Sequence, residues 1–238
     1  MIQLKLVTSR KLREVVEDGF PLLVPAGCVE THGPHLPLGT DTLIAEALCR
    51  EVTERVPAVV VPAFEYGPTG YAVAGPEGGT VDPDYEGFYL YVKGVLRAFM
   101  RMGFRKIFGV VHHQGLDGPE ASALRRAGAE LIFEETVRER GEGWWGRERP
   151  EEGTFGRFRV MPTVLPGVEC RGDHAGFLET SLMLYLHPDD VDMSALGPDA
   201  PWYTVGAWRA SREEGERIFR KMVEAWVKFL RKEVQCGG

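Results

Sequence analysis

Four brief apolar runs, separated by stretches of helical periodicity, constrain this chain more than any other feature of its sequence. Pro21 to Gly27 (PLLVPAG), Ala58 to Pro62 (AVVVP) and Lys106 to Val111 (KIFGVV) are too short for helices and too uniformly apolar for strands with one wet face. Phe158 to Val164 reads as a further strand. Between and around them lie the helical segments. Ser9 is the expected N-cap of a helix over Arg10 to Asp18 that Gly19 ends. A second begins near Asp41 and carries Leu43, Ala47 and Leu48 at helix spacing; a third opens at Asp82-Pro83, with Asp82 as cap, and runs to Met102 before Gly103. Pro119 to Arg140 supplies Leu124, Ala127, Leu131 and Ile132 to one face, and Leu178 to Leu186 and Arg212 to Val234 complete the set. Strands alternating with helices predict an α/β fold, a mostly parallel sheet covered on both faces.

At 238 residues the default is a single domain, 1–238. The segment 141–156, rich in Gly, Arg, Glu and Trp, reads as a flap or excursion, with Trp144 and Trp145 as core anchor, oligomer contact or lid. A net charge of −7 and a pI near 5.5 oppose general nucleic-acid binding, which needs a basic surface. No run reaches the roughly 18 apolar residues of a membrane span, and the start lacks an apolar secretory core, so no membrane role and a cytoplasmic location are expected. Cys28, Cys49, Cys170 and Cys236 show no CxxC spacing and read as reduced, mostly buried thiols. The absence of Asn and scarcity of Gln resemble a thermophile's composition.

The chemistry concentrates in three places. Glu30 to Asp41 (ETHGPHLPLGTD) sets two imidazoles and two carboxylates directly after a buried strand, at the strand end where parallel sheets hold ligands. Glu30 and His32 alternate and so point the same way in extended chain, while Asp41 falls at a helix start. His112 and His113 end the third apolar run, at the same sheet edge; alternation sends only one toward the site, leaving the other packed or exposed. Finally, GDHAGFLETS places His174 in a loop and Glu179 in the first turns of a helix. Taken singly, each has a bland reading as cap, surface group or core histidine; convergence on one edge is what favours a metal site. No G-x-G-x-x-G follows any apolar run, so a dinucleotide-binding protein is not supported.

From about Leu22 to Pro188 the chain resembles the creatininase family of metal-dependent amidohydrolases. The family's PxGxxEQHGPHLPLGTD is matched by PAGCVETHGPHLPLGTD from Pro25, and its HAGxxETS by HAGFLETS from His174; its NGHGGN is matched loosely by VHHQGL from Val111. The resemblance implies a three-layer α/β/α sandwich and two divalent metal ions, zinc foremost, with manganese or iron as the other candidates. It implies Glu30, Asp41 and His113 as ligands of one ion and His32, Asp41 and Glu179 as ligands of the other, with His174 as the catalytic histidine. It also implies a homo-oligomer, commonly a hexamer, and hydrolysis of a C–N bond in a small cyclic or linear non-peptide amide by a hydroxide bridging the metals. Departures are Gly115 where creatininase has a further carboxylate, Cys170 where it has a tryptophan, and GYAVAGPEGGT from Gly70, which carries no His. The altered second motif motivates an alternative, a degenerate relative that binds a metabolite or partner protein without turnover.

Overall fold

The computed structural model describes residues 1–75, 78–151 and 153–235. Five parallel strands, β1 (Ile2–Gln3), β2 (Leu22–Ala26), β3 (Val59–Val60), β4 (Ile107–Val111) and β5 (Phe158–Pro162), form one sheet in the order β1-β3-β2-β4-β5. Six α-helices surround it: α1 (Ser9–Glu17), α2 (Thr40–Thr53), α3 (Tyr85–Arg101), α4 (Pro119–Arg140), α5 (Phe177–Leu186) and α6 (Arg212–Gln235).

Strand alternation divides the core in two. Leu22, Val24, Ala26, Ile107 and Val111 face α1, α3 and α4, whereas Leu23, Phe108 and Val110 face α2, α5 and α6. The central strands β2 and β4 are buried along their whole length because both faces are covered, which is why their sequences show no polar alternation. The result is the expected three-layer α/β/α sandwich. Trp226 of α6 is buried and donates its indole N–H to the carbonyl of Thr163 at 2.9 Å, tying the last helix to the end of β5.

Local details differ from the sequence reading in two instructive ways. Thr8, not Ser9, caps α1, its hydroxyl accepting from the Lys11 N–H. Asp84, not Asp82, caps α3, accepting from Gly87 N–H at 2.7 Å; Asp82 instead receives the N–H and hydroxyl of Thr69. Each site offered two residues able to cap, and at α3 the contact of Thr69 with Asp82 leaves the cap to Asp84. The edge strand β1 was not expected from the sequence. Two residues carry no periodicity, and β1 forms because parallel pairing with β3 satisfies their backbone.

The excursion 141–156 leaves α4 and returns to the start of β5, so both its ends lie at the amino edge of the sheet. Trp144 is buried beneath the Arg140 guanidinium, while Trp145 is exposed. Trp144 is thus an anchor of that end, and the excursion is remote from the carboxyl edge of its own chain.

Helix α5 packs on α6 with almost no clearance. A Cβ on Gly215 would come within 1.9 Å of the Ser181 carbonyl oxygen, a backbone atom that cannot swing aside. Gly215→Ala is expected to cost about 1–3 kcal/mol through forced separation of the two helices. Chemical denaturation of the purified variant measures this; an unchanged midpoint would contradict the tight α5–α6 contact.

Candidate functional site

The strand order reverses between β2 and β4. After β2 the chain crosses to β3 through α2, on one face; after β4 it crosses to β5 through α4, on the other. The loops leaving these adjacent strands therefore part, and a crevice opens at their carboxyl ends. Into it come residues from three separated segments. Glu30 and His32 follow β2, His113 follows β4, and Glu179 sits in the first turn of α5. Asp41 reaches the same point because the start of α2 lies against Gly27: a Cβ there would stand 2.6 Å from the Thr42 backbone nitrogen. Only glycine permits so close an approach.

Asp41 is the meeting point. Its Oδ2 lies 3.0 Å from His113 Nδ1, and its Oδ1 lies 3.4 Å from His32 Nε2. On the first side Glu30 Oε1 is 3.4 Å from His113 Nδ1; on the second Glu179 Oε2 is 3.6 Å from His32 Nε2. Glu30, His32, Asp41, His113 and Glu179, the residues singled out in the sequence, are thus gathered in two groups that share one carboxylate, and all are buried. His174 stands at the edge of the cluster, one third exposed, with Nδ1 3.6 Å from Glu30 Oε1 and its ring centroid 4.5 Å from that of His32.

Supporting contacts fix these groups. The loop before α5 is held by Asp173, whose carboxylate accepts from the backbone N–H of Leu178 at 2.7 Å and of Glu179 at 3.2 Å. Ala175 adopts a left-handed backbone (φ 51°) and donates its N–H to Glu179 Oε2 at 2.6 Å. Such a conformation costs about 1–3 kcal/mol in a non-glycine residue and persists where its surroundings over-determine it. Gln114, also left-handed (φ 44°), donates its side-chain amide to the Thr69 carbonyl at 2.7 Å and so shapes the altered loop after His113. His112 is neither exposed nor merely packed. Its Nδ1 pairs with the Thr163 hydroxyl, and its Nε2 lies 3.5 Å from Glu179 Oε1. It turns away from His113, as alternation requires, yet steadies a carboxylate of the cluster from the other side. His35 likewise pairs with the Thr180 hydroxyl at 2.9 Å.

The electrostatics are those of acids and imidazoles buried side by side. Burial would drive the His32 ring toward neutrality, but Asp41, Glu179 and Glu30 outweigh it and hold the ring up at about 10. Burial acts the same way on His113, and Asp41 and Glu30 reverse it, raising the ring to about 11. Against the cost of its own burial, Asp41 is held well below the usual carboxylate range by His32 and His113. Glu120, at the start of α4, is fully buried and its carboxyl is pushed up to about 8, first by desolvation. His35 is pushed down to about 4 by burial, with His32 adding to it.

These residues fit a divalent metal. Among the described residues Glu30 Oε2 and His32 Nε2 are buried polar atoms of the cluster with no hydrogen-bond partner, a condition that calls for an ion or water. Imidazole and carboxylate donors in this mixture suit zinc, manganese or iron.

Sequence reasoning passed over one nearby group. Cys28, expected as a reduced, mostly buried thiol, lies fully buried with Sγ 3.1 Å from Asp41 Oδ2 and 3.3 Å from His113 Nδ1. Its place two residues before Glu30, inside the first motif, was the available signal. Cys49 is buried and Cys170 half-buried, neither in a disulfide; Cys236 lies outside the described residues. So do Pro76 and Glu77 of the segment from Gly70 to Thr80 that carries no His, and Glu152 of the excursion.

The site opens into a cavity of about 560 Å³ whose floor includes Glu30, Asp41, His113 and Glu179 and whose walls include Tyr71, Trp202 and Tyr203. The Tyr203 ring centroid lies 5.0 Å from that of His174, nearly edge-on.

Residues 5–230 match the model of the creatininase family, described as creatinine amidohydrolase. The chain belongs to the creatininase family. It is 32% identical to the mycofactocin precursor peptide peptidase of Mycolicibacterium smegmatis, over 91% of this chain and 85% of that protein. It is 28% identical to the creatinine amidohydrolase of Pseudomonas putida, over 89% of each. A manganese form of creatininase superposes with a TM-score of 0.78 at 22% identity, covering 98% of both chains, and a zinc–zinc form of a creatininase mutant with 0.75 at 24% and the same coverage. These likenesses show the fold. Membership of the family makes the chain a hydrolase, and its structure carries a cluster that could hold metal. Among the described residues no helix is long and apolar enough to cross a membrane.

The Asp173 contacts yield a test of how the loop is held. Asp173→Ala should cost roughly 1 kcal/mol of stability, with Asp173→Asn losing less because its carbonyl oxygen still accepts. Thermal unfolding of both variants checks the order; equal losses would show that the carboxylate does not cap α5.

Proposed function

We propose that this chain hydrolyses the C–N bond of a small amide, using two divalent metal ions held by Glu30, Asp41 and His113 on one side and by His32, Asp41 and Glu179 on the other. The observation that supports it most is the division of Asp41, one oxygen toward each imidazole. A single carboxylate placed so can bridge two cations. Zinc is the first expectation for the pair, with manganese or iron as the other candidates. The chemistry such a pair supplies when bound is a water made acidic enough to attack at ordinary pH and a polarised carbonyl.

The chain's own residues do the rest. His174 has one face against His32 and an exposed side toward the cavity, so its imidazole can deliver a proton to the departing nitrogen. The carboxylate of Glu30, with Oε1 3.6 Å from His174 Nδ1, lies close enough to favour a charged His174 ring. His112, held by Thr163, keeps Glu179 aimed inward. The aromatic walls of Tyr71, Trp202 and Tyr203, of which Tyr71 and Trp202 are exposed, offer flat apolar surface to the substrate.

A cavity of about 560 Å³ has room for more than one small ring. That, with the similarity to a peptide peptidase, favours a short peptide or peptide-like amide as the second reading of the substrate. The exposed Leu90, Tyr91 and Phe133 on α3 and α4 support the homo-oligomer expected from the family.

A panel containing creatinine, formamides, cyclic amides and short peptides tests the activity, read beside metal content. At least one amide should turn over in the zinc- or manganese-loaded chain. His174→Ala should lower kcat by about 10²- to 10⁴-fold with metal retained. Asp41→Ala should lose both ions and Glu179→Ala one. Undiminished turnover by Asp41→Ala would refute the proposal, and full metal occupancy with no amide cleaved would favour the alternative of a binding protein.

A further inference from the structure

Cys28 stands among the donors of the cluster, yet neither the proposed ligand set nor the proposed proton transfer uses it. It follows Gly27 at the end of β2, where the close packing of α2 on that glycine presses the thiol against Asp41. The thiol sulfur, Glu30, Asp41 and His113 present donor atoms that all lie within 4.8 Å of one another, and all four residues are buried. Four such atoms around one point are a coordination set. Four of its six edges are 3.0 Å from His113 Nδ1 to Asp41 Oδ2, 3.1 Å from Sγ to Asp41 Oδ2, 3.3 Å from Sγ to His113 Nδ1, and 3.4 Å from His113 Nδ1 to Glu30 Oε1, and the two others lie within 4.8 Å. A tetrahedral zinc ion with bonds of about 2.0–2.1 Å to nitrogen and oxygen and about 2.3 Å to sulfur has donor-to-donor edges of roughly 3.3–3.6 Å. Those four edges need to open by only a few tenths of an ångström. A second observation points to an ion at the same place: Glu30 Oε2 is buried and unpartnered within this group.

We propose that Cys28 is a fourth ligand of the ion bound by Glu30, Asp41 and His113, making that site a sulfur-containing one that prefers zinc to manganese. The proposal rests on the metal reading given above and extends it. On binding, the S–H bond breaks, its proton passes to solvent, and the sulfur electron pair becomes the metal–sulfur bond, with no change of oxidation state. Thiolate is a soft donor, favouring zinc and cobalt; an all-oxygen-and-nitrogen site discriminates less. The two ion sites of this chain would then be chemically unequal, since the group formed by His32, Asp41 and Glu179 contains no sulfur.

Cobalt(II) reads the donor directly. The chelator-treated chain, titrated with cobalt(II) under argon, should develop a near-ultraviolet thiolate-to-cobalt charge-transfer band. Cys28→Ser should bind cobalt without that band, and Cys170→Ser should keep it. In zinc-against-manganese competition, Cys28→Ser should move the preference toward manganese by roughly tenfold or more. X-ray absorption at the zinc edge of the unaltered, zinc-loaded chain needs no variant and should show a sulfur scatterer at about 2.3 Å. Cobalt bound with no band and zinc with only nitrogen and oxygen neighbours would overturn the Cys28 ligand while leaving the metal reading intact. Failure of the unaltered chain to bind cobalt or zinc at all would overturn both.

Discussion

A buried carboxylate with one oxygen turned to each of two imidazoles is the constraint on which the rest of this structure depends. Asp41 lies among Glu30, Glu179, His32 and His113 with almost no access to water. Removing each such charge from water costs several kcal/mol, and their mutual attraction repays this only when the geometry is good and the remaining polar atoms are satisfied. Here they are not all satisfied. Orphaned atoms of Glu30 and His32 remain, and the displaced equilibria of the His32 and His113 rings show how strongly the acids demand positive charge beside them. Cations answer that demand more completely than protons can, because an ion contacts several donors at once.

The sheet makes the gathering possible. Placing β2 beside β4 with crossovers in opposite directions opens the crevice, and the bare surface of Gly27 lets α2 bring Asp41 to the strand end. The other side is closed by α5, which is pressed on α6 at Gly215 and whose preceding loop is pinned by Asp173. The left-handed residues Gln114 and Ala175 each adjoin a histidine of the cluster, so backbone strain is stored where side-chain direction matters. Stability and site geometry are therefore held by the same contacts.

Much of this was legible in the sequence, for physical reasons. Doubly covered strands write themselves as apolar runs, so β2, β4 and the helices between strands could be read directly, as could the layer order. The motif resemblance put the five cluster residues in view. What escaped depends on contacts between distant segments. The strand β1 exists only through its partner, and the choice of Asp84 over Asp82 turns on Thr69. Glu120 has the sequence position of an ordinary first-turn acid of α4, yet it is fully buried with its carboxylate packed on Gly67. Cys28 was weighed only by its spacing to other cysteines, whereas its partners are a carboxylate and an imidazole far along the chain. His112 shows the converse: alternation correctly separated it from His113, but its hold on Glu179 appears only once β5 supplies Thr163.

The most direct measurement is a crystal structure of the metal-loaded chain with anomalous data collected at the metal's absorption edge. The account predicts two peaks flanking the Asp41 carboxylate, one in contact with His113 and Glu30 and the other with His32 and Glu179. A fully loaded crystal with no peak beside Asp41, or with Asp41 turned away from both histidines, would contradict it.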